Sequence, residues 1–237
     1  MKNTNSCVTI ILIVIFLITT VAIAETNDNL DVVVNSNNEF ALDLYQELKG
    51  ARGNLFFSPY SISTALAMTY AGARGQTEIE MADVLRFTLD QQPLHSAFSQ
   101  LQSELNAIRN NGNIELSVAN SLWAQERYSF LDSFFDLNRT TYGAGLHFVD
   151  YERDTETARL TINAWVEDKT HQKIKEIIKP GMINSGTQLV LCNAIYFLGD
   201  WLYQFDKRRT RDADFHVSRD TTIKVPMMQQ LSKFKGK

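Results

Sequence analysis

Cysteine is scarce in this chain, and proline and glycine are thin as well: two, four and 11 among 237 residues. The shortage of cysteine excludes a disulfide-stapled miniature fold. Cys7 lies in a leader-like segment, and Cys192 is then alone, so it reads as a small buried hydrophobe rather than a nucleophile. Few prolines and glycines, and no repeat of fixed period, exclude fibrous, solenoid and low-complexity classes. His95, His147, His171 and His216 lie far apart in sequence, none at metal-ligand spacing and with no Cys-x-x-Cys pair. Each reads as a surface or helix-end histidine, and no metal and no cofactor is expected. A Gly-x-Ser-x-Gly elbow is missing too. The stretch "GMINSGTQ" has glycines at phosphate-loop separation, but Thr187 stands where a lysine is required and the loop precedes a strand. No catalytic residue is nominated, and the chain is not expected to be an enzyme.

What is present is an ample core: 44% of residues are hydrophobic and 21% charged, which suits one globular domain or two small ones. The first 24 residues stand apart. Lys2 is their only charge, Val8 to Val21 is apolar, and Ala22-Ile23-Ala24 precedes Glu25. This reads as a secretory signal peptide over residues 1–24, so a secreted, extracellular product is expected; the apolar run is short for a membrane anchor, its rival reading. Removing it leaves 22 basic and 27 acidic side chains, a net of −5. That balance argues against nucleic acid as a partner, and no membrane partner is expected after signal removal. The basic cluster Lys207-Arg208-Arg209 with Arg211 is interrupted by Asp206, Asp212 and Asp214, and it reads as a solvated mixed face, like the carboxylates Glu167 and Asp168. Lys233, Lys235 and Lys237 form a second cluster. Asn138-Arg139-Thr140 is a glycosylation sequon.

Periodicity predicts helices first and strands later. "NNEFALDLYQELKG" places Phe40, Leu44 and Leu48 on one helical face after an asparagine cap. Leu55 to Phe57 reads as a short strand, and Ser58-Pro59 starts a helix whose small residues suit tight packing under a sheet. Thr77 with Glu80 predicts a capping box, a fourth helix begins at Pro93 and frays at "NNGN", and a fifth is opened by Ser129 and Asp132. "IELSVANSLWAQ" alternates as a strand, "GLHFV" is another, and Asp154 or Thr155 caps a long helix. "ADFHV" and "TTIKVPMMQQ" close the series. The order is α+β.

"LVLCNAIYFLGDW" is the longest apolar run of the later chain and reads as a strand covered on both faces, with Asn193 near its middle. An amide in such a strand must find partners, since leaving it unpaired costs about 1–3 kcal/mol.

"NLFFSPYSISTALAMTYAGARGQTEIEMADVL" resembles a strand-then-helix segment of the serpins, including its Phe-Phe-Ser-Pro-x-Ser-Ile core and the Gly-Ala-x-Gly-x-Thr that follows. "NAIYFLGDWLYQF" is similar to the serpin Asn-x-x-x-Phe-x-Gly-x-Trp-x-x-x-Phe segment, and "DFHV" with "TTIKVPMM" to the strands after it. The matches run in family order from about Asn35 to the last residue. The resemblance implies an incomplete serpin-like α+β fold, with residues 25–237 as the N-terminal part of a serpin domain. It further implies that Ser58 and Ser61 meet Asn193 in the shutter beneath the main sheet, and that Trp201 marks the breach at its top. Leu198 stands where many serpins carry a basic residue. The fourth helix offers only His95 and Arg109 as cations, so no glycosaminoglycan site is expected.

Serpins in the main inhibit serine proteases: an exposed loop is cut, inserts into the main sheet as a new strand and carries the acylated protease with it. The resemblance makes a serine protease the expected partner of the complete form. Residues 1–237 do not reach the reactive loop or the strands beyond it, so this truncated chain is expected to be inactive alone and to expose an aggregation-prone edge. The alternative is a non-inhibitory serpin serving as carrier, chaperone or storage protein.

Overall fold

The computed structural model describes residues 28–108 and 114–231. The leader, Arg109, the "NNGN" stretch and the C-terminal lysines lie outside them. Among the described residues six α-helices and five strands follow in chain order: α1 over 28–48, α2 Pro59–Tyr70, α3 Gln76–Leu85, α4 Gln91–Ile108, β1 Ile114–Gln125, α5 Asp132–Tyr142, β2 Gly145–Val149, α6 Tyr151–Lys169, β3 Leu189–Gly199, β4 Arg211–Ser218 and β5 Thr221–Met227.

Helix ends depart from the sequence reading for local reasons. α1 starts ahead of the asparagine cap, because Val33 is 1% exposed and packs seven residues before Phe40 on the same face. Burial thus overrides the weak helical preference of "DVVV". Ser58 caps α2 as expected, its side chain accepting from the Ser61 amide, with Pro59 in the first turn. The Thr77–Glu80 capping box does not form: Gly75, at φ 60°, precedes α3, and Glu80 instead accepts from the Gln76 amide side chain at 2.9 Å. α4 begins at Gln91, so Pro93 sits inside the first turn, where a missing N–H costs nothing. α5 opens after Leu131 without a side-chain cap, so neither Ser129 nor Asp132 caps it. α6 is capped by Asp150, whose carboxylate accepts from the Arg153 amide at 3.1 Å. Asp154 leaves helical geometry at φ −141° and then accepts from the Thr157 amide at 3.1 Å. The expected cap at Asp154 thus forms, at a kink inside the element where a second helical segment begins.

Leu55 to Phe57 forms no strand: the segment is assigned to no ladder and Phe56 is 97% exposed. Among the described residues, β1, β2 and β3 make one sheet in the order β2-β1-β3, with β2 parallel and β3 antiparallel to β1. β4 and β5 pair as a separate antiparallel ribbon.

The three-stranded sheet divides two cores. On one face, Leu122 joins Val33, Phe40, Met68, Leu85, Leu94, Phe98 and Tyr142 from α1 to α5, with Leu189 and Leu191 of β3 packed at the edge of that cluster. On the other, Trp123 and Cys192 meet Tyr151, Ala158, Ile162 and Val166 of α6. The alternation along β1 and β3 is what sends successive side chains to opposite cores. β3 is covered on both faces only around its middle, since Phe197 is 67% and Leu198 57% exposed.

Candidate functional site

Asn193 shares the face of Leu189 and Leu191, and so points to the side where α2 lies. The small residues of α2 allow that approach: Ser63 and Ala67 are fully buried. Ser61, in the first turn, donates its hydroxyl hydrogen bond to Asn193 Oδ1. The other half of the amide is also used. Asn193 Nδ2 donates to Asn120 Oδ1 at 2.7 Å, and the two asparagines stand directly opposite each other in the β1–β3 register. Asn120 Nδ2 in turn donates to the Tyr142 carbonyl at 2.8 Å. An amide in an apolar strand thereby joins a helix start, two strands and the end of α5, with each link carried by a polar side chain that burial obliges to pair.

Of the residues nominated from sequence, Ser61 and Asn193 are in contact. Ser58 is one step removed, holding the Ser61 amide at 3.3 Å. Trp201 is not brought to this cluster: it lies beyond the end of β3, 63% exposed, with its ring edge-on to Phe205 at 5.4 Å between centroids.

Asn138 requires a correction. Its side chain is 0% exposed, and its amide nitrogen donates to the carbonyls of Phe134 at 2.9 Å and Met68 at 3.3 Å. A glycan must hang from that nitrogen in solvent, so the sequon is incompatible with the folded arrangement. His95 is corrected as well. It is 3% exposed on the inner face of α4, its Nδ1 lies 2.7 Å from the Tyr142 hydroxyl, and burial aided by the Arg74 charge holds its pKa down to about 4. His147 is half-buried and stacks on Trp123 with centroids 4.1 Å apart, and burial lowers its pKa. His171 pairs with Glu115 of β1 at 3.1 Å and lies against the Tyr196 ring of β3, while His216 is exposed beside Thr222.

Two participants escaped the sequence reading. Asn120 looks like one more polar residue of an alternating strand, and Tyr142 like a helix-end aromatic. The available signal was that Asn120 belongs to the face of Leu122, which is the core face.

Cys192, 6% exposed, stands opposite Ser121 in the β1–β3 register and has its thiol pushed up to about 12 by burial. Such a thiol is inert as a nucleophile at neutral pH. Among the described residues no group of three or more His, Cys, Asp or Glu side chains could hold a metal ion, and no helix is long and apolar enough to cross a membrane.

The fold and this cluster define a sheet laid over a small-residue helix, with hydroxyl and amide groups bonded beneath β1 and β3. Residues 35–237 match the family described as Serpin (serine protease inhibitor). The chain belongs to the serpin family, a family of protease inhibitors. It is 41% identical over 201 residues to the leukocyte elastase inhibitor of Sus scrofa and 42% over 201 residues to that of Bos taurus, in each case covering 84% of this chain and 52% of the relative. Emu ovalbumin superposes with a TM-score of 0.78 at 30% identity, over 83% of this chain and 54% of that one. Arabidopsis AtSerpin1 in its native stressed conformation gives 0.74 at 28% identity, over 86% and 52%. The chain spans about half the length of the relatives it matches.

Proposed function

We propose that this serpin, in a form carrying the whole family domain, inhibits a serine protease as a single-use decoy. Its exposed loop is cleaved and enters the sheet as a strand beside β3, taking the acylated protease with it. The observation that carries this reading is the Ser61–Asn193–Asn120 cluster, a set of polar bonds spanning α2, β3 and β1 under a strand whose outer side, among the described residues, is a sheet edge. Bonds of this kind hold strands in one arrangement and can re-form when they part. The names of the elastase-inhibitor relatives support a serine protease as target.

The test is incubation with a panel of serine proteases that includes leukocyte elastase, followed by denaturing electrophoresis. A chain extended through the family's loop is expected to give a denaturant-resistant complex. Failure of the extended chain across the panel supports the carrier, chaperone or storage reading instead.

We also propose export. The apolar segment Val8 to Val21 with Ala22-Ile23-Ala24 supports a signal peptide, and N-terminal sequencing of product from a secreting host is expected to begin at Glu25. Retention of residues 1–24 inside the cell overturns it.

A further inference from the structure

Tyr142, 1% exposed, is bound at both of its ends. Its hydroxyl is 2.7 Å from His95 Nδ1, and its carbonyl accepts from Gln102 Nε2 at 3.2 Å and from Asn120 Nδ2 at 2.8 Å. That carbonyl is free to do so because it ends α5: Gly143 turns left-handed at φ 60°, and the last helical carbonyls have no partner within the helix. His95, Phe98 and Gln102 are spaced three, four and seven apart, so α4 presents them on one face. The Phe98 and Tyr142 rings stand 5.9 Å apart, and those of His95 and Tyr142 5.8 Å apart, edge to face. The other ring nitrogen of His95, Nε2, is buried without a hydrogen-bond partner among the described residues, which leaves the Tyr142 hydroxyl as the ring's tether.

We propose that Tyr142 is a positioning residue that couples the seating of α4 to the pairing of β1 with β3. A continuous series of side-chain bonds runs from His95 and Gln102 through Tyr142 to Asn120, Asn193 and Ser61. Shifting α4 pulls on both ends of Tyr142. The Tyr142 carbonyl then shifts relative to Asn120, whose single amide must satisfy that carbonyl and Asn193 together. In the reverse direction, parting β1 from β3 breaks the Asn120–Asn193 bond and frees Asn120 to reorient, loosening the grip on the end of α5. The coupling is a property of these residues whatever protease, if any, the serpin inhibits.

The experiment is amide hydrogen exchange on the full chain. Tyr142→Phe removes the His95 tether and keeps the carbonyl. It is expected to speed exchange at residues 118–122 and 191–195 about fivefold or more. Gln102→Ala, which removes the bond from α4 to the Tyr142 carbonyl, is expected to act on the same strand amides if Tyr142→Phe does not fold. Glu104→Ala trims an exposed side chain of α4 and its bond from Gln100, keeps the helix propensity and leaves Tyr142 untouched, so it is expected to leave those strands unchanged. Faster exchange confined to α4 and α5, or strand exchange raised equally by Glu104→Ala, overturns the proposal. So does a double-mutant cycle of Tyr142→Phe with Ser61→Ala that is additive to within about twofold in the unfolding equilibrium constant. A larger departure from additivity supports it.

Discussion

Asn120 and Asn193 face each other across the antiparallel β1–β3 pair and share an amide-to-amide hydrogen bond of 2.7 Å. Because Ser61 takes the remaining oxygen of Asn193, replacing Asn193 strands a hydroxyl and a carbonyl in a half-buried place. Asn193→Ala is expected to destabilise the chain by about 1–3 kcal/mol. Asn193→Asp should cost more, since its carboxylate faces the Asn120 oxygen with no donor. Midpoints of urea unfolding, compared at constant slope, check both.

Stability should fall in mild acid through His95. The folded chain keeps this imidazole neutral down to about pH 4, while an unfolded histidine binds its proton near its ordinary 6.5, so between those values the unfolded state holds more protons. The histidine's contribution is intact above pH 6.5, declines as pH drops towards 4 and levels off below, a loss of about 3 kcal/mol. Subtracting the unfolding profile of His95→Gln from that of the parent isolates this component. A difference that does not vary from pH 7 to 4 removes the argument.

Cys192 should resist thiol reagents in the native state. Its thiol is buried between β3 and α6 and pushed up to about 12, so little thiolate exists at neutral pH. Mass spectrometry of chain treated with iodoacetamide at pH 7.5 is expected to show Cys192 unmodified until denaturant is added. Rapid native labelling would mean that β3 opens from α6 far more freely than its packing suggests.

Asn163 should be intolerant of truncation. It is 5% exposed on α6, donates to the Ile178 carbonyl at 2.9 Å, and accepts from the Ile177 and Ile178 amides at 3.0 and 2.9 Å. Asn163→Ala unpairs buried backbone groups of the segment leading from α6 to β3 and is expected to cost about 2–4 kcal/mol. Thermal unfolding and protease cutting near Ile174 to Ile178 both report it.

The strands and the Asn193 bond were legible because their cause is local. β1 alternates, β3 is a long apolar run, and an amide within it demands a partner. The direct contact with Ser61 followed from the family resemblance rather than from spacing. What escaped depends on distant packing. α1 begins early because Val33 finds a core, Leu55–Phe57 looks like a strand but has no neighbour to pair with among the described residues, and the sequon at Asn138 says nothing of its burial. His95 and Asn120 are polar residues on core-facing positions, and polarity alone suggests a surface.

Coverage along the paired strands is uneven. At one end Ala124 and Trp123 of β1 are buried beside Leu189 and Val190. At the other Ile114 is only partly covered opposite Gly199, with Leu198 and Phe197 open to solvent. Separation therefore has a direction: the strands peel from the Gly199 end inward, as cloth tears from a loose hem, until the first deep-set knot, at Asn120 and Asn193, arrests the rip.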